Sequence, residues 1–136
     1  MTKSYQQFCP IAMTLDVIGD RWTIIILRDL YFGRSRFNDL LAASPGMSTK
    51  ILSERLKLLE QHGLVTREVY SEHPLRAEYK LTEKGMSLEP VLNAIGEWGG
   101  RNLVPQKDRA ALLARIESMR PKRRTRSRQK QRAKTT

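Results

Sequence analysis

A single cysteine, Cys9, excludes an internal disulfide, and only two histidines, His62 and His73, accompany it. Three isolated ligand-type residues do not make the clustered set that a metal site requires, so no metal is expected. No apolar run approaches the roughly 20 residues needed to span a bilayer. The longest is Ile24–Leu27 beside Trp22. Met1–Phe8 carries one lysine and no apolar segment, so no signal peptide is visible. These absences predict a cytoplasmic protein with no membrane association. No Ser-His-Asp set, glycine-rich phosphate loop or paired-carboxylate motif is recognisable, so neither an enzyme nor a cofactor is expected.

Acid is missing from the last stretch of the chain. Arg120–Thr136 holds nine Lys or Arg and no Asp or Glu. The formal net charge is +11, from 25 basic and 14 acidic residues. Without that stretch, 16 basic residues face 14 acidic ones, and the remainder is nearly balanced at +2. The stretch has no apolar residue except Ala133, so it cannot bury a core and disorder is expected. A polycation of this kind suits a polyanion such as nucleic acid, or acts only as a solubilising terminus. The expected organisation is therefore a globular unit over residues 1–119 and a basic tail over 120–136.

What remains is ample for one core: 136 residues, 40% of them hydrophobic. Cys9–Ile18 predicts a first helix, broken by Gly19-Asp20. Arg21–Phe32 comes next. Its Thr23–Ile26 run is β-branched and strand-like, but the segment is long for a strand and its spacing fits a helix. Ser35 is a candidate N-cap for a short helix through "RFNDLLAAS". The turn Ser44-Pro45-Gly46 precedes a helix over Ser48–His62. Leu64–Tyr70 and Ala77–Leu81 alternate as strands joined by "SEHPLR". Thr82 caps a helix reaching Trp98 and ending at Gly99-Gly100, with Pro90 inside it and expected to bend it or to remove one backbone hydrogen bond. Gln106–Met119 predicts the last helix. Trp22 and Trp98 are expected in the core.

Two helices joined by a tight glycine-containing turn and followed by a hairpin describe a winged helix-turn-helix: an α+β fold, mostly helical, with a two-stranded wing. Along the helix from Ser48, Leu52, Leu56 and Leu59 fall within about 60° of one another at the helical period. Lys50, Ser53 and Lys57 then lie opposite, with Thr49 flanking. A recognition helix reads base edges from its N-terminal end, where hydroxyls and lysines donate to bases or phosphates. From Cys9 to Gly99 the chain resembles the HxlR-type winged helix-turn-helix regulators, relatives of the MarR group. The resemblance is carried by "CPIAMTLDVIGDRWTIIIL", "GRSRFNDL", "PGMSTKILSERLKLLEQHGLVTREVY", "HPLRAEYKLTEKG" and "LEPVLNAIGEWG". It implies a homodimeric, sequence-specific transcription regulator that binds double-stranded DNA. Dimerisation is expected through Cys9–Ile18, Gln106–Met119 and part of the Thr82–Trp98 helix.

The candidate DNA-binding residues are Arg36, Ser48, Thr49, Lys50, Ser53, Lys57 and Arg76. Arg36 is expected just inside a capped helix, where the resemblance implies a backbone contact. Arg76 is expected at the wing turn, in reach of a minor groove. Cys9 precedes Pro10 at a helix start, a position that favours the thiolate. The resemblance implies an oxidant or electrophile sensor there; a small apolar residue at a dimer interface is the other reading. The effector, small molecule or oxidant, is left unassigned. Two rival functions remain: a non-specific architectural nucleic-acid binder driven by the tail, and a winged helix used as a protein-interaction module.

Overall fold

The computed structural model describes residues 8–119. The tail and the boundary expected at residue 119 fall outside or at the edge of those residues. The elements run α1 (Pro10–Ile18), α2 (Arg21–Tyr31), α3 (Phe37–Ala42), α4 (Thr49–Gln61), β1 (Val65–Glu72), β2 (Leu75–Leu81), α5 (Glu83–Met86) and α6 (Glu89–Asn102). A short 3-10 turn, Gln106–Asp108, then leads into α7 (Arg109–Met119).

α2 is the hub. Asp20 starts it by accepting from the backbone N–H groups of Trp22 at 2.8 Å and Thr23 at 3.1 Å. Tertiary burial then overrides the strand propensity of Thr23–Ile26: Ile26 and Leu27 are fully buried, against Leu52, Leu56 and Leu59 of α4 and Leu40 of α3. Trp22 packs half-buried against this core.

α4 begins at Ser48, whose hydroxyl oxygen accepts from the Ile51 N–H at 3.1 Å. It ends in a Schellman motif. Gly63 takes φ +71°, its N–H reaches the Glu60 carbonyl at 3.0 Å, and the Leu64 N–H reaches the Leu59 carbonyl at 2.9 Å. That turn sends the chain directly into β1. β1 and β2 pair antiparallel from Val65↔Leu81 to Glu72↔Leu75, with a bulge between Val69 and Ser71.

Four expectations need correction. Ser35 is not the cap of α3: its carbonyl accepts from the Tyr79 N–H at 2.8 Å and Arg36 pairs with Glu78, so the chain runs alongside β2 and the helix starts only behind Arg36. The strands are longer than expected and the connection is only His73-Pro74, so Arg76 lies on β2 opposite Ser71, not in the turn. The single helix from Thr82 is two, α5 and α6. Pro90 therefore stands in the first turn of α6, where its missing N–H has no helical partner to lose, and α6 runs through Gly99-Gly100 to Asn102. Trp98 is not in the core: it is 61% exposed.

Gly85 is required by packing. A Cβ there would come within 2.1 Å of the Leu64 carbonyl oxygen, and the Tyr31 hydroxyl donates to the Gly85 carbonyl. α5 thereby presses against the root of the wing and the end of α2.

Candidate nucleic-acid interface

α4 separates cleanly into two faces. Leu52, Leu56 and Leu59 are buried, whereas Thr49, Lys50, Ser53 and Lys57 are exposed. The buried stripe fixes the roll of the helix, so the polar face can only point outward. At its front, the hydroxyl oxygen of Ser48 is engaged as the N-cap, which leaves its O–H free to donate. Thr49 and Lys50 occupy the first turn, where uncapped backbone N–H groups and the helix dipole favour an anion.

The turn before α4 is held by a buried charge that the pattern of the sequence does not single out. Asp29 is 2% exposed. Its carboxylate pairs with Arg28 at 3.1 Å and Arg34 at 3.3 Å, and it accepts from the Ser44 hydroxyl at 3.4 Å. One carboxylate thus ties the end of α2 to the loop before α3 and to the turn before α4. An acid inside an apolar helical stripe is the signal that could have found it.

Arg36 is exposed but not loose. Its guanidinium lies over the Tyr70 ring at 5.2 Å and pairs with Glu78 at 3.6 Å. Both partners belong to the wing, and neither is foreseeable locally, because the pairing is set by the long-range contact between the α3 approach and β2. Arg76 and Glu78 share a face of β2 at the two-residue period, and Arg36 joins them there. Further along that face, Lys80 pairs with Glu68 at 2.9 Å, and this contact pushes the Lys80 ammonium upward from its ordinary range.

Away from α4, apolar side chains face outward. Ile11 and Leu15 of α1, Val91, Ile95 and Trp98 of α6, and Leu113 of α7 are all exposed. On α6, Val91, Ile95 and Trp98 line one shallow, mostly apolar hollow with Pro90 and Ala94. Cys9 is half-buried at the N-cap of α1, with its carbonyl accepting from the Met13 N–H at 2.9 Å. Among the described residues no group of three His, Cys, Asp or Glu could hold a metal, and no helix is long and apolar enough to cross a membrane.

The arrangement has close counterparts. The HTH-type transcriptional regulator sll1512 of Synechocystis sp. is 43% identical over 105 residues, 77% of this chain and 78% of that protein. YvaP, an HTH-type transcriptional regulator of Bacillus subtilis, is 43% identical over 93 residues, 68% of this chain and 86% of that protein. Among solved structures, the redox regulator HypR in its oxidised form superposes with a TM-score of 0.66 at 40% identity, over 71% of this chain and 100% of that one. The reduced form of the transcriptional regulator YodB from B. subtilis gives 0.61 at 36% identity, over 73% and 98%. These relatives belong to a transcription-regulator family, not an enzyme family. Residues 17–107 match the HxlR-like helix-turn-helix family, and with α4, its preceding turn and its wing in place, the chain belongs to that family and is a helix-turn-helix transcription regulator.

Proposed function

We propose that the chain acts as a homodimer on double-stranded DNA, each protomer placing the front of α4 in the major groove of one half-site. The observation that carries this reading is the division of α4: one face locked into the core, the other presenting Thr49, Lys50, Ser53 and Lys57 to solvent directly after a rigid turn. Hydroxyls and ammonium groups donate to the acceptors of guanine and adenine edges and to phosphates. Ser48 donates its remaining O–H, and Arg36 supplies a backbone contact from the start of α3. Arg76 carries the wing towards the neighbouring minor groove. The second protomer covers the apolar faces of α1, α6 and α7, where Ile11, Trp98 and Leu113 are each more than half exposed. Selection of bound duplexes from a random pool tests the reading. The expected product is a palindromic pair of half-sites about one helical turn apart, or a multiple of that spacing. Recovery of unrelated sequences with no symmetry would overturn it.

A second reading concerns Cys9 and is favoured by the similarity to HypR, a redox regulator, in oxidised and reduced forms. Cys9 is the single cysteine of the chain. Peroxide would convert its thiol to a sulfenic acid with loss of water, and a second thiol would condense with that acid, releasing another water and leaving a disulfide. The second thiol must come from another molecule: the partner protomer's cysteine or a small thiol. The α1 helix that Cys9 opens also carries part of the apolar dimer face, so a bond there would change how two protomers meet.

A further inference from the structure

The corner between α3 and α4 is a tight turn with a buried anchor. Ser44, Pro45, Gly46 and Met47 form it: the Met47 N–H reaches the Ser44 carbonyl at 3.1 Å, and Gly46 stands at φ +94°. Proline second and a positive-φ glycine third are the pattern of a type II turn. Ser44 opens the turn and is 5% exposed. Its hydroxyl donates to one oxygen of the Asp29 carboxylate at 3.4 Å. The other oxygen accepts from Arg34 Nη1 at 3.3 Å and from Arg28 Nε at 3.2 Å. One buried carboxylate therefore holds both the loop that leads into α3 and the corner from which α4 departs.

Burying an ion pair is a weak route to stability, because apolar residues of similar volume often serve as well or better. What the cluster supplies is placement and charge. Arg28 and Arg34 share the single acid, so two cations against one anion leave a positive surplus. The Arg34 side chain is 35% exposed, and its bond to Asp29 uses one terminal nitrogen. A guanidinium has five N–H donors in a fixed fork, so one held at a single nitrogen can bond a second anion with the others. Next to it the backbone is open: Gly33 takes φ +92°, and nothing lies within 4 Å of where its Cβ would stand. Arg34 and Arg36 line one shallow hollow of about 670 Å³, with Asp39 the acid among its lining residues. Arg36 is already stacked on Tyr70 and paired with Glu78, both of the wing. Arg34 instead belongs to a cluster with charge to spare. The hollow lies at the approach to α3, and in a helix-turn-helix the helix before the recognition helix crosses the DNA backbone.

We propose that Arg34 is a phosphate-contacting residue of the DNA interface and that Asp29 is its positioning residue, setting Arg34 against the backbone and, through Ser44, the direction in which α4 leaves the turn. The ligand is one phosphodiester of duplex DNA, bound by charge-assisted hydrogen bonds from the guanidinium. The assignment of Arg34 rests on the docking proposed for α4. Two properties then separate. Arg34 touches backbone and adds affinity without regard to sequence, whereas Ser44 touches no DNA and acts only on the aim of α4, hence on discrimination.

The test uses the full-length chain, a duplex selected from a random pool and a scrambled duplex of equal length. Urea unfolding gives the stability of each variant, and binding is compared where each is fully folded, so that lost stability alone moves neither readout. Arg34→Gln should flatten the plot of log affinity against log salt by about 0.9 per protomer on both duplexes. Between 50 and 200 mM salt that is about 3.5-fold in affinity, by the same relation. The ratio of selected to scrambled affinity stays the same, and ethylation of one phosphate in each half-site ceases to interfere with binding. Ser44→Ala has the opposite signature: an unchanged slope and a ratio lowered about fivefold, the worth of one hydrogen bond. Asp29→Asn lowers the ratio likewise, and Ser44→Ala adds nothing further in that background. Should Asp29→Asn fail to fold, the other two variants still decide. An unchanged slope and interference pattern for Arg34→Gln overturn the phosphate contact. An unchanged ratio for Ser44→Ala, or additive effects of Ser44→Ala and Asp29→Asn, overturn the positioning role. If the parent chain selects no sequence, the reading of α4 fails, while the slope of Arg34→Gln on scrambled duplex still decides whether Arg34 meets phosphate.

Discussion

Stability and DNA affinity should come apart residue by residue along α4. Thr49, Lys50 and Ser53 are exposed and point away from the buried stripe, so alanine at each should change folding stability by no more than about 0.5 kcal/mol. A lost base contact costs about 1–3 kcal/mol, or roughly 5- to 150-fold in the dissociation constant. Ser48 should behave differently. Its oxygen caps the helix, so Ser48→Ala should cost about 1 kcal/mol of stability, near 3–5 °C in melting temperature for a chain of this size. Leu56, at 1% exposure, should cost about 2–5 kcal/mol on truncation to alanine through its cavity alone. Lys57, farther along the exposed face, should lower the salt slope by about 0.9 on alanine substitution if it meets one phosphate. Fluorescence anisotropy on a selected duplex gives affinity, and urea unfolding of the same preparations gives stability. The reasoning fails if the three exposed variants lose stability like Leu56→Ala, or if all bind the selected site as tightly as the parent.

Glu78→Gln removes the carboxylate that holds Arg36 to the wing, so affinity for scrambled duplex should rise and the salt slope steepen by up to about 0.9, with no change in Arg36→Ala background. Gly85→Ala should destabilise by about 1–3 kcal/mol or more in urea, because its Cβ meets the Leu64 carbonyl; a neutral result would mean that α5 is not packed on the wing root. Burial, with the nearby Glu89 charge, pushes the Tyr31 phenol from 10.0 up to about 12. The folded state therefore holds this proton more tightly than the unfolded chain does: its contribution is complete below pH 10 and is lost as pH rises towards 12, and Tyr31→Phe should flatten stability over that window. Mild peroxide should change operator affinity in the parent and leave Cys9→Ser unaffected; an equal response in both excludes the thiol.

Much of the fold is legible in the sequence, for definable reasons. The buried stripe of α4 and its cap come from periodicity and from a serine placed one residue before the helix, both local signals. The hairpin is announced by alternation. α2 reads ambiguously because its β-branched run obeys two periods, and only burial among α3 and α4 settles which one applies. The errors share one cause. Ser35 has no capping role because β2, more than forty residues later, takes its carbonyl. Arg76 moves from turn to strand because a bulge and a two-residue loop lengthen the pairing. Trp98 is expected inside because tryptophan usually is, yet it stands 61% exposed on α6, on the face assigned to the second protomer of the proposed dimer. The partners of Arg36 lie beyond local reach for the same reason as the error at Ser35: they are set by tertiary contact with β2.

The geometry also bounds how a signal at α1 can reach α4. Asp20 stands at the junction. One carboxylate oxygen caps α2, and the other pairs with Arg55 of α4 at 3.0 Å. This is a direct link between the end of α1 and α4, but it is a modest one. The Arg55 and Asp20 side chains are 27% and 38% exposed, and a pair of that kind is worth about 1 kcal/mol at most. Breaking it would therefore alter the energy of α4 by no more than about fivefold in an equilibrium. The hydrophobic packing of Leu52, Leu56 and Leu59 against α2 opposes any larger shift of α4 within the protomer. In the proposed dimer, a response of greater amplitude acts between protomers. Two recognition helices bind together only when their separation matches the half-site spacing, and the second contact is lost when it does not. In the proposed dimer that separation depends on the exposed apolar side chains of α1 and α6. An effector at α1 would thus work by moving one recognition helix relative to the other, leaving the fold of each intact.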